Sequence, residues 1–398
     1  MFHEKKPEPK VEYSKWRIPV GIDVSGRVFY IDLKEAIRVL FVASAGSGKS
    51  WLMRAMIDRL HQIGQACIFL TDIKGELVSS RKPLQAKFRH LLLKGEKPRR
   101  LPVAELRPTF FRQISKDLPV NNLWYSIDMK RMTQREFMTF MNTSRMTATQ
   151  RTLLEIIYQE MSKKFKKEED NEFSLDFIEE IIDNIDEIDT KSAKALKLKF
   201  RPLRESNWYI RKYERSIIEG IQKGLVPSIN LTDFESFGTD NFNFPTVTES
   251  IVLREVIKGR RDKEIPPLWI FIDEATRFCG NDKNNSFKDE VLEAVDVERR
   301  FSTSVVMAFQ AMSDIPEKVL YQSRYVFVPG TENLDTIKKI LVNTGIARNV
   351  QSAPGLASRI KKQTRGHRYA WIVFDRFEQT MRVINPLAPL SHHMEAGE

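Results

Sequence analysis

Residues 39–60, VLFVASAGSGKSWLMRAMIDRL, constrain the fold more than any other stretch. An apolar run at 39–43 enters a loop of small residues carrying Gly46 and Gly48. Leu52, Met53, Met56, Ile57 and Leu60 then recur at helical spacing, so the stretch reads as strand, tight loop, helix. That is a P-loop arrangement. Its glycines let backbone N–H groups turn inward around a triphosphate, and the first helical turn adds unpaired donors and a positive dipole end. Ala45, Gly46, Ser47, Gly48, Lys49, Ser50 and Trp51 are therefore the candidate nucleotide contacts. Lys49 would reach the β and γ phosphates of ATP, and Ser50 a Mg2+ ion. Ala43 stands where the pattern has its first glycine, and a positive φ there would carry strain.

A second anchor lies more than two hundred residues on, at 268–275, LWIFIDEA. Five apolar residues ending in Asp273 and Glu274 suit a buried central strand that delivers two carboxylates to the carboxyl edge of a sheet. Asp273 would orient the Mg2+ shell, and Glu274 would polarise the water attacking the γ-phosphate. An isolated Asp-Glu pair would more simply cap the next helix, but a P-loop requires a partner of this kind.

The 64 Lys and Arg exceed the 53 Asp and Glu, giving a net charge of +11 and favouring a polyanionic partner. Cys67 and Cys279 lie in or beside apolar strands and make neither a disulfide framework nor a zinc site, which points to a reducing cytoplasm. There is no apolar run of about eighteen residues and no signal-peptide core, so a soluble, non-membrane protein is expected.

Taken in order, residues 1–15 form a polar arm and 16–120 the first part of an α/β core, beginning with a β-hairpin at 17–33. Residues 66–71 make another strand, followed by the polar DIKGEL loop. The basic stretch 81–107 reads equally as a phosphate-contacting loop or a solvated linker. Residues 121–210 change character to a separately folded helical insertion, with capping boxes at Thr133/Glu136 and Thr147/Gln150. Within it an acidic helix precedes a basic one, and the two could pair. Residues 211–389 resume the α/β alternation, and 390–398 form a tail. Strands are expected at 225–234, 303–309, 325–329 and 369–374, with helices at 247–261 and 287–301. The fold class is α/β: a RecA-like P-loop core with a mostly parallel sheet, covered on both faces, and an inserted helical subdomain.

With AGSGKS at 45–50, TDIKGEL at 71–77, IDEA at 272–275 and FSTSVVMAFQAMSDIP at 301–316 in this order, the chain resembles the HerA/FtsK superfamily of P-loop ATPases. INLTDF before the Asp273 strand, and RYAWIVFD and MRVINPLAP near the end, are similar to the HerA branch. The resemblance implies a hexameric ring that moves double-stranded DNA through a central pore. Position by position, it implies that Lys49 and Ser50 are the Walker A pair, Asp273 and Glu274 the Walker B pair, and Gln310 the strand-end γ-phosphate sensor. It also implies an arginine, Arg299 or Arg300, reaching the neighbouring subunit's site, where it would offset charge developing on the transferred phosphoryl group. Lys74, Arg99 and Arg100 are the candidate DNA contacts.

The chain departs from HerA relatives in having about thirty-eight residues before the P-loop strand, too few for their β-barrel. It departs from coupling proteins and chromosome pumps in lacking membrane helices. The expectation is a compact DNA translocase of viral or plasmid type, with a nuclease or portal-type partner. The alternative is a nucleotide-gated assembly factor or protein remodeller. A small-molecule kinase or GTPase fits less well, because the strand-ending Asp-Glu favours water activation and no N-K-x-D guanine signature is present.

Overall fold

The computed structural model describes residues 16–72, 76–108, 122–125, 129, 132–143, 146–167, 175–184, 190–206, 216–230, 243–330, 332–345, 347, 352–364 and 369–392. Its frame is one twelve-stranded sheet. The strands are β1 (Arg17–Asp23), β2 (Val28–Asp32), β3 (Arg38–Val42), β4 (Cys67–Asp72), β5 (Val103–Pro108), β6 (Asn122–Tyr125), β7 (Val226–Asn230), β8 (Leu268–Ile272), β9 (Thr303–Phe309), β10 (Tyr325–Pro329), β11 (Trp371–Asp375) and β12 (Thr380–Pro386). Their order is β2-β1-β12-β11-β10-β3-β9-β8-β4-β7-β5-β6. From β10 through β6 every pairing is parallel, while β2, β1, β12 and β11 add an antiparallel margin. The expected α/β class with a mostly parallel sheet is therefore present.

The central strands are apolar throughout because both faces are covered. Along β3, Leu40 and Val42 enter one core, whereas Val39, Phe41 and Ala43 enter the other. The same alternation runs through β8, where Ile270 and Ile272 face the first core and Trp269 and Phe271 the second. The P-loop helix Lys49–Ile63 covers the second core with Leu52, Met53, Met56, Ile57 and Leu60. The helices Phe244–Arg261, Ser286–Asp296, Leu334–Asn343 and Ala353–Thr364 cover the first.

Both capping boxes form. Thr133 and Glu136 exchange backbone and side-chain bonds at the start of Gln134–Phe140, and Thr147 and Gln150 do so before Ala148–Lys167. The acidic helix Leu175–Asp183 and the basic Thr190–Ser206 are joined by a Lys197–Asp183 ion pair. Two findings differ from the sequence expectation. Residues 122–125 are the edge strand β6 rather than part of a helical unit. In addition, Phe137, Leu153, Leu154, Ile157, Ile178, Leu196 and Phe200 share one continuous core with the sheet, so among the described residues this helical segment shows no separate core. Its amphipathic faces are real, but the sheet supplies what they bury against.

Cys67 and Cys279 are buried, free thiols, and burial pushes the Cys67 thiol up to about 12. No helix among the described residues is long and apolar enough to cross a membrane.

Glu249, on Phe244–Arg261, is fully buried, and neither of its carboxyl oxygens makes a hydrogen bond among the described residues. Burial holds its pKa well above 4.5, against the opposing pull of Arg277. The folded chain thus keeps a proton that the unfolded chain releases above about pH 4.5, so this site withdraws stability as pH rises toward the folded pKa. Glu249→Gln should raise the melting temperature at pH 8 and progressively less toward pH 5. The gain should grow by at most about 1.4 kcal/mol per pH unit. A stability difference independent of pH would contradict this account.

Candidate functional site

Strands β3, β9 and β8 lie side by side and parallel, so their carboxyl ends meet on one edge of the sheet. β3 leads into the glycine loop, β9 into Gln310 and β8 into Asp273 and Glu274. Adjacent strands are about 4.8 Å apart, which puts Gln310 between the loop and the acid pair.

The strain anticipated at Ala43 does not occur. Ala43 is fully buried, its φ is not positive, and its N–H donates to Phe309 O at 2.9 Å, continuing the strand. The left-handed turns fall instead at Gly46 (φ 75°) and Gly48 (φ 86°). A Cβ at either would meet nothing within 4 Å, so backbone conformation rather than space requires glycine there. The helix starts at Lys49 with no side-chain cap, leaving its first N–H groups for an external acceptor.

Asp273 joins the two halves of the site. One carboxylate oxygen lies 3.2 Å from Lys49 Nζ, and the other accepts the Ser50 hydroxyl at 3.3 Å. Glu274 follows in a left-handed conformation (φ 51°, ψ 43°) that non-glycine residues rarely adopt, and its N–H donates to Asp273 Oδ1 at 2.9 Å. Such local strain concentrates at functional sites. Here it turns the chain sharply from β8 into the helix Ala275–Cys279, leaving Glu274 half-exposed at the corner. Gln310 is exposed, and its N–H is held by Thr276 Oγ1 at 3.1 Å; that hydroxyl in turn donates to Asp314 at 3.3 Å. Sequence reasoning missed Thr276. Its signal was the position three residues after Asp273, on the first turn beyond the acid pair.

The donor set suits a nucleotide with Mg2+. A hydroxyl and a carboxylate converge as hard oxygen ligands beside an ammonium. Ser47 Oγ is also enclosed in the loop without a hydrogen bond among the described residues. The Trp51 ring packs edge-on against Phe88 with centroids 5.2 Å apart.

Other sequence candidates are not brought here. Arg299 and Arg300 sit in the turn Glu298–Phe301 before β9, at the opposite edge of the sheet and about 20 Å of strand from Gln310. Arg300 is exposed, with its guanidinium 4.8 Å over the Phe301 ring; the Arg299 side chain lies outside the described residues. Arg99 and Arg100 precede β5, also on the far edge, and Lys74 lies outside the described residues.

A glycine loop, an acidic strand end and a polar strand end on one edge of a parallel sheet define a RecA-like P-loop ATPase fold. Within that class the chain belongs to the family described as "Helicase HerA, central domain", whose model matches residues 20–248, more than half of its length. Among solved structures it is similar to VirB4 of Thermoanaerobacter pseudethanolicus, with a TM-score of 0.60 and 11% identity over 94% of this chain and 98% of that one. The bacterial conjugative coupling protein TrwBdeltaN70 gives 0.57 and 13%, over 97% and 91%. The genome packaging NTPase B204 from Sulfolobus turreted icosahedral virus 2, in complex with ATP-gammaS, gives 0.40 and 10%, over 88% and 98%. No curated protein matches the chain in sequence.

Proposed function

We propose that this chain is an ATP-driven motor that translocates double-stranded DNA through an oligomeric, hexameric ring. The observation that carries the reading is the meeting of Asp273 with both Lys49 and Ser50 in a HerA-family chain. Lys49 neutralises the β and γ phosphates of ATP, and Ser50 and Asp273 would hold Mg2+. Such an ion would supply positive charge to offset that of the phosphates. Glu274 accepts a proton from the attacking water, and its position on a strained corner fixes its carboxylate at the site's mouth. Gln310, held through Thr276 to the segment that follows the acid pair, reports the γ-phosphate to the segment beyond β9.

Arg299 and Arg300 stand at the sheet edge opposite their own P-loop, so either acts only on a neighbouring subunit. A finger supplied in trans makes hydrolysis depend on the ring. Arg299→Ala and Arg300→Ala subunits should bind ATP, and one of the two should hydrolyse it at least about a hundredfold more slowly. Mixing that variant with Lys49→Ala subunits should restore turnover, because each partner supplies what the other lacks. No recovery on mixing would assign the arginine a role within its own chain.

The direct test of DNA dependence is ATP turnover with and without long duplex DNA at low salt, where phosphate contacts are strongest. Turnover should rise several-fold. Turnover unchanged by DNA would favour a nucleotide-gated assembly factor instead.

A further inference from the structure

Residues 81–100, RKPLQAKFRHLLLKGEKPRR, carry eight Lys and Arg against one acid, Glu96. That acid is turned inward. Its carboxylate forms a two-pronged, fully buried pair with Arg59 of the P-loop helix and accepts the Leu93 N–H, so it offsets none of the surface charge. Outside stand Lys82, Lys87, Arg89, Lys94, Lys97 and Arg100, all exposed.

A solvated linker of this composition would extend by self-repulsion, but this one is held in place. Leu84 and Arg99 N–H groups donate to Leu390 O, His392 N–H donates to Lys82 O, and Arg81 Nε donates to Val103 O. Cations fixed together on an ordered surface cannot spread apart, and a bound polyanion relieves that repulsion. The surface is also joined to the nucleotide site. Phe88 packs on Trp51, the residue after Ser50, and the Glu96 pair grips the same helix two turns further on.

We propose that residues 81–100 are a docking platform for the phosphate backbone of duplex DNA, on the outer face of the P-loop helix and coupled to it through Trp51 and Arg59. The proposal rests on the translocation reading and names a DNA surface for it. Phosphate contact needs charge and N–H donors without base readout, which suits a motor that moves along any sequence. DNA engaged on the platform bears on the helix that begins with Lys49 and Ser50, giving a route from DNA contact to nucleotide.

The test uses the full chain and a fluorescent duplex of about forty base pairs, with binding measured across a salt series. The platform variant carries Lys87→Gln, Arg89→Gln, Lys94→Gln and Lys97→Gln. A charge-matched control carries Lys191→Gln, Lys194→Gln, Arg201→Gln and Lys258→Gln, all exposed in the wild type. The platform variant should lose about tenfold or more in low-salt affinity and have a shallower salt dependence, by up to about 0.9 for each contact removed. The control should stay within about twofold. Single Arg89→Gln and Lys97→Gln changes should each show a fraction of the loss, which separates a binding effect from misfolding of the quadruple variant. Equal loss in platform variant and control would overturn the platform, as would displacement of the duplex by polyglutamate at equal charge, which would indicate an acidic protein partner. Wild-type binding that the platform changes leave intact would overturn the platform alone. Absence of duplex binding by the wild type would overturn the translocation reading with it.

Discussion

Glu274→Gln should bind ATP with affinity close to that of the wild type and hydrolyse it about 10²- to 10⁴-fold more slowly, the range expected when a general base is removed. The amide keeps the size and shape of the carboxylate, so the left-handed corner after β8 and the Asp273 hydrogen bond to its N–H are preserved. What is lost is the ability to take a proton from water. Lys49 and Ser50, whose side chains meet Asp273, are unchanged and remain with it to hold nucleotide. Single-turnover assays should therefore show an ATP-loaded, stalled protein. Full activity would remove Glu274 as the base.

Lys49→Ala should fail at an earlier stage. The ammonium is the cation placed against Asp273, 3.2 Å away, and its removal takes a charge-assisted contact from the phosphates. Each such contact is worth about 1.5–3 kcal/mol, so nucleotide affinity should fall about tenfold to a hundredfold or more, with turnover falling below detection. Asp273 also keeps its charge without its ammonium partner, which further repels an anionic ligand. The two variants together separate binding from chemistry: titration with a fluorescent ATP analogue should distinguish them, and equal affinity for both would contradict the assignment.

Much of this site was legible in the chain because its parts obey local rules. The apolar runs ending at Ala43, Asp273 and Gln310 each marked a buried strand and its carboxyl end, and these strands do lie side by side. What sequence could not supply was what covers each surface. The P-loop helix reads as amphipathic, with Arg54, Asp58 and Arg59 on its polar side, yet all three are buried. Asp58 accepts from Leu390 N, Ser391 N and the Ser391 hydroxyl, Arg54 donates to His392 O, and Arg59 pairs with Glu96. Their partners lie from about forty to more than three hundred residues away and are mostly backbone groups, which leave no pattern in composition or spacing. The same limit explains β6: four residues without a clear alternation gave no strand signal until β5 lay beside them. The arginines before β9 were legible as charges, while their position relative to the P-loop depended on the direction of the strand.

The central claim is tested most directly by electron microscopy of the full chain with duplex DNA and a non-hydrolysable ATP analogue. The account predicts a closed ring with duplex in its pore, nucleotide phosphates against Lys49 and Ser50, and an arginine from the turn Glu298–Phe301 of one subunit in the next subunit's site. Monomers bound to nucleotide, or rings with the duplex outside the pore and no arginine crossing between subunits, would contradict it.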